Sequence, residues 1–239
     1  MENPKGYYTS RYSGEEIDRL LSGIPPGGAA DKSVQDTVEA TRVPSRTAEV
    51  TAMDLPGYIM GLPKLLTEDL IIAVSAGTIP TTVAINSFYG PGRLTITAQD
   101  NAEVNFSGIS AYYNNIIVQL NRLKFQKAGG SLLDVYESDL RLENCDFLGI
   151  GGSPFGLSAY LMCAIALDSC TFRYLDTAIF SGETSIISAT NCAAAENGNG
   201  AYVWRGGIVL LAGTTPELMG GVANKKAGGL IVKSDGTLL

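Results

Sequence analysis

The sequence predicts an all-β chain coiled into one parallel β-helix of about seven rungs, each about 22 residues long. Two observations lead there: aliphatic residues recur at a fixed spacing, and the composition is rich in glycine and poor in charge. Aligned on Ala76, Ala98, Leu120, Leu142, Leu167, Ala189 and Leu211, the chain repeats at spacings of 22, 22, 22, 25, 22 and 22. Two residues before the anchors stand Val74, Ile96, Val118, Leu140, Ile165, Ile187 and Val209, all aliphatic. Strand side chains alternate with period two, so positions −2 and 0 share one face. The next two positions are mostly polar turn-formers, among them Asn144, Ser169, Asn191 and Gly213, and predict a corner. Apolar character returns at +3 as Ile79, Leu123, Cys145, Cys170 and Cys192, which restarts the inward face. A lone rung cannot bury that face. Stacking rungs about 4.8 Å apart buries it and pairs each backbone with neighbours above and below. The spacing of 25 reflects a three-residue insertion near 149–154, a Gly/Pro excursion from one corner. A β-sandwich demands no fixed spacing, and a helical repeat conflicts with the β-branched alternation.

The β-helix is expected over residues 64–216, after an N-terminal segment, residues 1–63, that is polar and rich in Pro and Gly. Ser13 and Glu16 form a capping box, with Ser13 as N-cap. Ile17, Leu20, Leu21 and Ile24 follow at helical spacing, and Gly23 with Pro25-Pro26-Gly27 ends a short helix near 14–22. Two to three turns are not stable alone, so the stripe must dock, either on its own chain or on a partner. Residues 29–63 read as an extended, irregular arm. Residues 217–239 read as a terminal capping element, with Ser234-Asp235-Gly236 as a hairpin turn between apolar runs.

Composition narrows the functional classes. With 45% hydrophobic residues the chain has enough apolar surface to bury a core. A net charge of −7 without a basic run argues against nucleic-acid binding. No apolar run approaches the roughly 20 residues that span a bilayer. The polar opening Met1-Glu2-Asn3-Pro4-Lys5 shows no secretory pattern, so a soluble protein made in a cytoplasm is expected. The four cysteines lack CxxC spacing and there is no histidine, so no zinc site, other metal site, cofactor or histidine-based catalytic triad is expected.

Three segments resemble parts of bacteriophage tail proteins. Thr67 to Ile96, centred on Ile85-Asn86-Ser87-Phe88-Tyr89-Gly90-Pro91-Gly92-Arg93, resembles the opening rungs of pectate-lyase-like β-helices in tailspikes and tail fibres. Tyr12 to Leu21 is similar to a short N-terminal helix of virion proteins, and Ala227 to Leu239 to tail-fibre termini. The resemblance implies a right-handed single-stranded β-helix, a homotrimer and a place on a virion. It also implies attachment to other tail or baseplate proteins through residues 1–63, and contact with a host surface glycan. No catalytic motif carries over, and no enzymatic activity is expected. A polysaccharide-degrading tailspike, either glycoside hydrolase or lyase, is the alternative.

Particular residues bear on that choice. Glu143 and Asp168 share the +1 position of neighbouring rungs, which puts their carboxyls about 5 Å apart, the separation of a retaining glycosidase pair. Stacked acids on a solvated corner are equally ordinary. Cys145, Cys170 and Cys192 are expected as an inward ladder filling the core rather than converging on a metal. Tyr113, Tyr160 and Trp204 stand seven residues before their anchors, and Tyr89, Phe180 and Tyr202 nine before. Such an aromatic stripe suits a trimer interface, core filling or a glycan. The Gly-rich runs lack the strand–loop–helix setting of a phosphate cradle and read as turns.

Overall fold

The computed structural model describes residues 46–100, 102–152, 154–213, 224–233 and 235–238. These residues form a parallel β-solenoid of about seven turns. Three sheets run along it. Sheet A has nine strands: Arg46–Val50, Leu70–Val74, Leu94–Ala98, Ile117–Asn121, Asp139–Glu143, Ala164–Asp168, Ile186–Thr190, Ile208–Ala212 and Leu230–Val232. Sheet B has seven: Val83–Asn86, Ile109–Tyr112, Gly130–Tyr136, Pro154–Tyr160, Thr177–Gly182, Asn199–Trp204 and Asn224–Lys226. Sheet C has six: Gly77–Ile79, Val104–Phe106, Lys124–Lys127, Asp146–Gly149, Thr171–Arg173 and Ala193–Ala195. Each turn visits A, C and B in that order, and neighbouring strands within a sheet pair in parallel.

Alternation decides what points inward. In sheet A one inward column runs Leu70, Leu94, Val118, Leu140, Ile165, Ile187, Val209, Ile231, all buried. A second runs Ile72, Ile96, Leu120, Leu142, Leu167, Ala189, Leu211. The anchors from Leu120 onward therefore stack as the spacing predicts. The first two do not. Leu120 pairs with Ile96 rather than Ala98, Ile96 pairs with Ile72, and Ala76 is exposed, so the first two spacings are 24. The correction has a simple cause: a shift of two residues keeps every side chain on the same face, and alternation cannot detect it.

The corner after sheet A matches its turn-forming residues. Arg122, Asn144, Ser169, Asn191 and Gly213, one per turn, all have positive φ between 52° and 58°. Asn and Gly tolerate that conformation best. Sheet C carries a buried column that the aliphatic repeat does not announce: Ile79, Phe106, Phe125, Phe147, Phe172 and Ala194. Gly156, within the sheet B strand Pro154–Tyr160, faces this column and the neighbouring strand's backbone, which leave no room for a Cβ. A Cβ there would lie 2.5 Å from Ala178 O and 2.9 Å from the Phe172 ring.

The ends differ from the sequence expectation. Strand Arg46–Val50 pairs with Leu70–Val74, so sheet A begins inside the segment read as an irregular arm. A short helix, α1 (Leu55–Met60), follows, with Leu55 and Ile59 fully buried beside the first strand of sheet B. The arm contains too few periodic residues to announce a single strand and a six-residue helix. At the other end, Asn224–Lys226 and Leu230–Val232 continue sheets B and A, adding a part-turn to the coil. Across Asp235-Gly236 an antiparallel bridge joins Val232 to Leu238. Ser13, Glu16, Ile17, Leu20, Leu21 and Ile24 lie outside the described residues.

Candidate functional site

Sheet B sorts the aromatic residues by register. Tyr112, Tyr136 and Tyr160 occupy one outward column, which continues through Gly182 to Trp204. Phe180 and Tyr202 occupy the adjacent column, above Asp134 and Ser158. Contacts cross between the columns. Tyr136 stacks on Tyr160 at 4.9 Å and 17°, Tyr160 meets Phe180 at 4.9 Å, and Phe180 stacks on Tyr202 at 5.4 Å. A continuous aromatic ladder therefore brings together Tyr160, Phe180 and Tyr202, and includes Tyr112 and Tyr136, which spacing from the anchors passed over. Trp204 stands at its end with the Arg205 guanidinium 3.9 Å above its ring.

Ladder packing limits what these rings offer. Stacked rings give their faces to one another and present mainly edges and hydroxyls to water. Burial raises the phenols of Tyr112, Tyr136 and Tyr160 above their ordinary range. Asp134, in the middle of this surface, is pushed up as well, because burial outweighs its hydrogen bond to Ser131 and the nearby Lys127 charge.

Tyr89 lies apart from the ladder, and Tyr113 meets its first ring edge-on, 6.4 Å from Tyr112. They sit on corner turns and are 51% and 59% exposed. Tyr113 has φ of 58°, one of a line of left-handed corner residues with Ser87, Glu137, Met162 and Glu183. These residues close the passage from sheet B back to sheet A. Backbone hydrogen bonds tie the line together, Tyr113 N–H to Tyr136 O and Met162 N–H to Glu183 O.

Beside Tyr113 this corner opens a cleft of about 570 Å³ between sheets B and A. Its wall carries Asp69, Arg93, Asn115, Glu137, Asp139 and Met162. Two of the carboxylates also brace the coil: Asp69 Oδ1 accepts from Arg93 N–H at 2.9 Å, and Asp139 Oδ1 from Ala164 N–H at 3.2 Å. The Arg93 side chain reaches along sheet A, donating through Nη1 to Gln119 Oε1 at 3.4 Å. Behind the wall, Asn114 is buried and fully engaged. It donates to Ile85 O at 2.7 Å and accepts from Phe88 N–H at 3.0 Å, and its own N–H reaches Ser138 Oγ. The cleft thus joins an exposed ring, an exposed thioether and ionic groups on a wall held by backbone hydrogen bonds. Its size suits a small ligand or a short stretch of polymer. Residues from five successive corners build it, and no local spacing in the sequence could announce that convergence.

The remaining candidates lie elsewhere. Glu143 and Asp168 pair in register on the outer face of sheet A, both exposed, and Asp168 Oδ1 accepts from Ser169 Oγ and Asn191 Nδ2 at 3.3 Å each. Cys145, Cys170 and Cys192 stack inside. Among the described residues, no group of three or more His, Cys, Asp or Glu is arranged to hold a metal ion, and no helix is long and apolar enough to cross a membrane. Comparison with protein-family models, curated proteins and solved structures finds no match to the chain.

Proposed function

We propose that this protein is a structural and adhesive component of a bacteriophage tail or tail-like particle. In this reading residues 1–63 attach the chain to other particle proteins, and the solenoid projects as a rigid stalk that contacts a receptor. The observation that carries it is the continuity of sheet A, nine parallel strands in one hydrogen-bonded register. Such a rod is about 4.8 Å per turn and stiff along its axis. The similarity of both ends and of the first rungs to tail proteins supports the setting. A homotrimer fits the outer face of sheet A in the last turns, where Ile186, Leu210 and Leu230 are 44%, 37% and 41% exposed beside Ala164 and Ala166. A surface of that kind is normally covered in an assembly. The corner cleft at Tyr113 supplies the receptor-contacting surface, and a host glycan is the ligand class that suits its mixture of ring and polar groups. The test is to purify particles on a density gradient and quantify this chain by mass spectrometry. Co-migration at a fixed ratio to the major tail protein is expected, and recovery solely as free protein overturns the proposal.

A polysaccharide-degrading enzyme is the second reading, favoured by Asp69, Glu137 and Asp139 lining one cleft with Arg93. All three carboxylates are exposed, and two are engaged by backbone N–H groups, Asp69 by Arg93 and Asp139 by Ala164. Purified protein incubated with host capsule or cell-wall glycan should release no new reducing ends. Release that disappears in Glu137→Gln, Asp139→Asn, Glu143→Gln or Asp168→Asn would replace the first reading with the second.

A further inference from the structure

The interior holds a chemical feature that the proposed function does not use. Cys145, Cys170 and Cys192 occupy one position of three successive turns, because the residues that follow them pair in register: Asp146 with Thr171, and Thr171 with Ala193. Register places neighbouring Cα atoms about 4.8 Å apart. That lies within the roughly 4.4–6.8 Å over which a disulfide closes. The three side chains also point alike. Each thiol contacts the carbonyl two residues before it: Cys145 Sγ to Glu143 O at 3.6 Å, Cys170 Sγ to Asp168 O at 3.4 Å, and Cys192 Sγ to Thr190 O at 3.3 Å. All three are buried and none is in a disulfide. Hydrogen bonding of Cys170 to Cys145 holds Cys170 above the ordinary thiol range, and hydrogen bonding of Cys192 to Cys170 does the same to Cys192.

We infer that this ladder is an oxidation site at which Cys170 forms a disulfide with Cys145 or with Cys192 when the protein meets a small neutral peroxide. The first thiol takes one oxygen from hydrogen peroxide, becoming a sulfenic acid and releasing one water. The neighbouring thiol's sulfur then attacks the sulfenic sulfur. The S–O bond breaks, the S–S bond forms, and the oxygen leaves with the second thiol's proton as another water. Two thiols are oxidised and one peroxide is reduced. Burial excludes bulky disulfide reagents from this site but not a molecule of peroxide's size, so oxidation is slow and follows brief local opening. Geometry then sets the product. Cys145 and Cys192 are two turns apart, about 9.6 Å, beyond closure. Every linkage therefore includes Cys170, and each molecule gains a single disulfide. Cys163 stays reduced, because its in-register neighbours are Ser138 and Ser185 and its thiol donates to Tyr160 O at 3.0 Å. The bond ties adjacent turns through a loop of 25 or 22 residues, restricts the unfolded chain and raises Tm. This inference stands independently of the tail assignment.

The experiment treats the full-length chain with hydrogen peroxide, alkylates it after unfolding and maps peptides without reduction. Oxidation of the exposed Met53, Met60 and Met162 adds one oxygen each, whereas a disulfide removes two hydrogens, so the mass change separates the two. Cross-linked pairs Cys145–Cys170 and Cys170–Cys192 are expected, each short of two hydrogens, together with a rise in Tm that dithiothreitol reverses. Cys170→Ala, chosen as a small residue for the core, should yield no cross-link, whereas Cys163→Ser should behave as the parent. Four fully alkylated cysteines in the peroxide-treated parent would overturn the inference, as would a link through Cys163 or one that persists in Cys170→Ala.

Discussion

Phe125 and Phe147 lie face to face in the interior of sheet C, ring centroids 4.6 Å apart and planes 5° apart. Phe172 continues the stack 4.7 Å beyond Phe147, so Phe147 is covered on both faces. Register enforces this geometry: Phe147 pairs directly with Phe125 below and Phe172 above. Removing the middle ring leaves a cavity between two turns that the hydrogen-bonded backbone prevents from collapsing. Phe147→Ala should therefore cost about 3–5 kcal/mol of unfolding free energy. Phe147→Leu should cost clearly less. Urea denaturation followed by circular dichroism measures both, and equal losses in the two variants would contradict the stacking argument.

Asp134 gives a prediction in pH. Burial raises its folded carboxyl above the ordinary value of 3.8. Below that value the folded and unfolded states are both protonated and stability is unaffected. As pH rises the unfolded chain ionises first, so stability falls until the folded carboxyl ionises too, and the loss is complete above both values. Asp134→Asn should therefore be more stable than the parent at pH 7, with the gain vanishing as pH falls to about 3. Urea midpoints at a series of pH values measure it. A gain independent of pH, or a variant less stable at pH 7, would show that the carboxylate is not penalised.

Tyr113 and Tyr136 separate the two aromatic surfaces. Tyr113 is exposed on the cleft and meets the ladder only edge-on at Tyr112, whereas Tyr136 packs between Tyr112 and Tyr160. Tyr113→Ala should weaken adsorption to host cells by about tenfold, roughly the 1.4 kcal/mol of one exposed aromatic contact. Tyr136→Ala should lower Tm while leaving adsorption per folded molecule close to the parent. Fluorescent protein titrated onto cells measures adsorption, and the opposite ranking would move the contact surface from the cleft to the ladder.

Much of the solenoid was legible because a repeat constrains every rung alike. Leu120, Leu142, Leu167, Ala189 and Leu211 fall in one column because a polar corner follows each strand, and the three-residue insertion between Leu142 and Leu167 leaves the register intact. The first turns escaped because alternation has period two and tolerates the shift from Ile96 to Ala98 without exposing an apolar residue. The phenylalanine column was present to be read: Phe stands five residues after each of Leu120, Leu142 and Leu167. The aromatic stripe was half legible. Counting back from the anchors found Tyr160, Phe180 and Tyr202 but grouped them with Tyr89 and Tyr113, whose corners stand outside the strand register. The cleft was not legible, since Asp69, Arg93, Glu137 and Met162 meet only after the coil closes.

Attachment through the N-terminal segment, with the solenoid projecting, is the central claim, and imaging of intact particles tests it most directly. Ile17, Leu20, Leu21 and Ile24 form an apolar stripe in the sequence, and Ile17→Asp with Leu21→Asp places two charges on it. Electron cryo-microscopy of purified particles, with an antibody fragment against the solenoid as a marker, should show marked projections at the tail of the parent particle. Particles carrying the double variant should lack them, while the purified variant keeps the parent's β-rich circular dichroism and Tm. Parent particles without marked projections, or variant particles that carry them in normal number, would contradict the account.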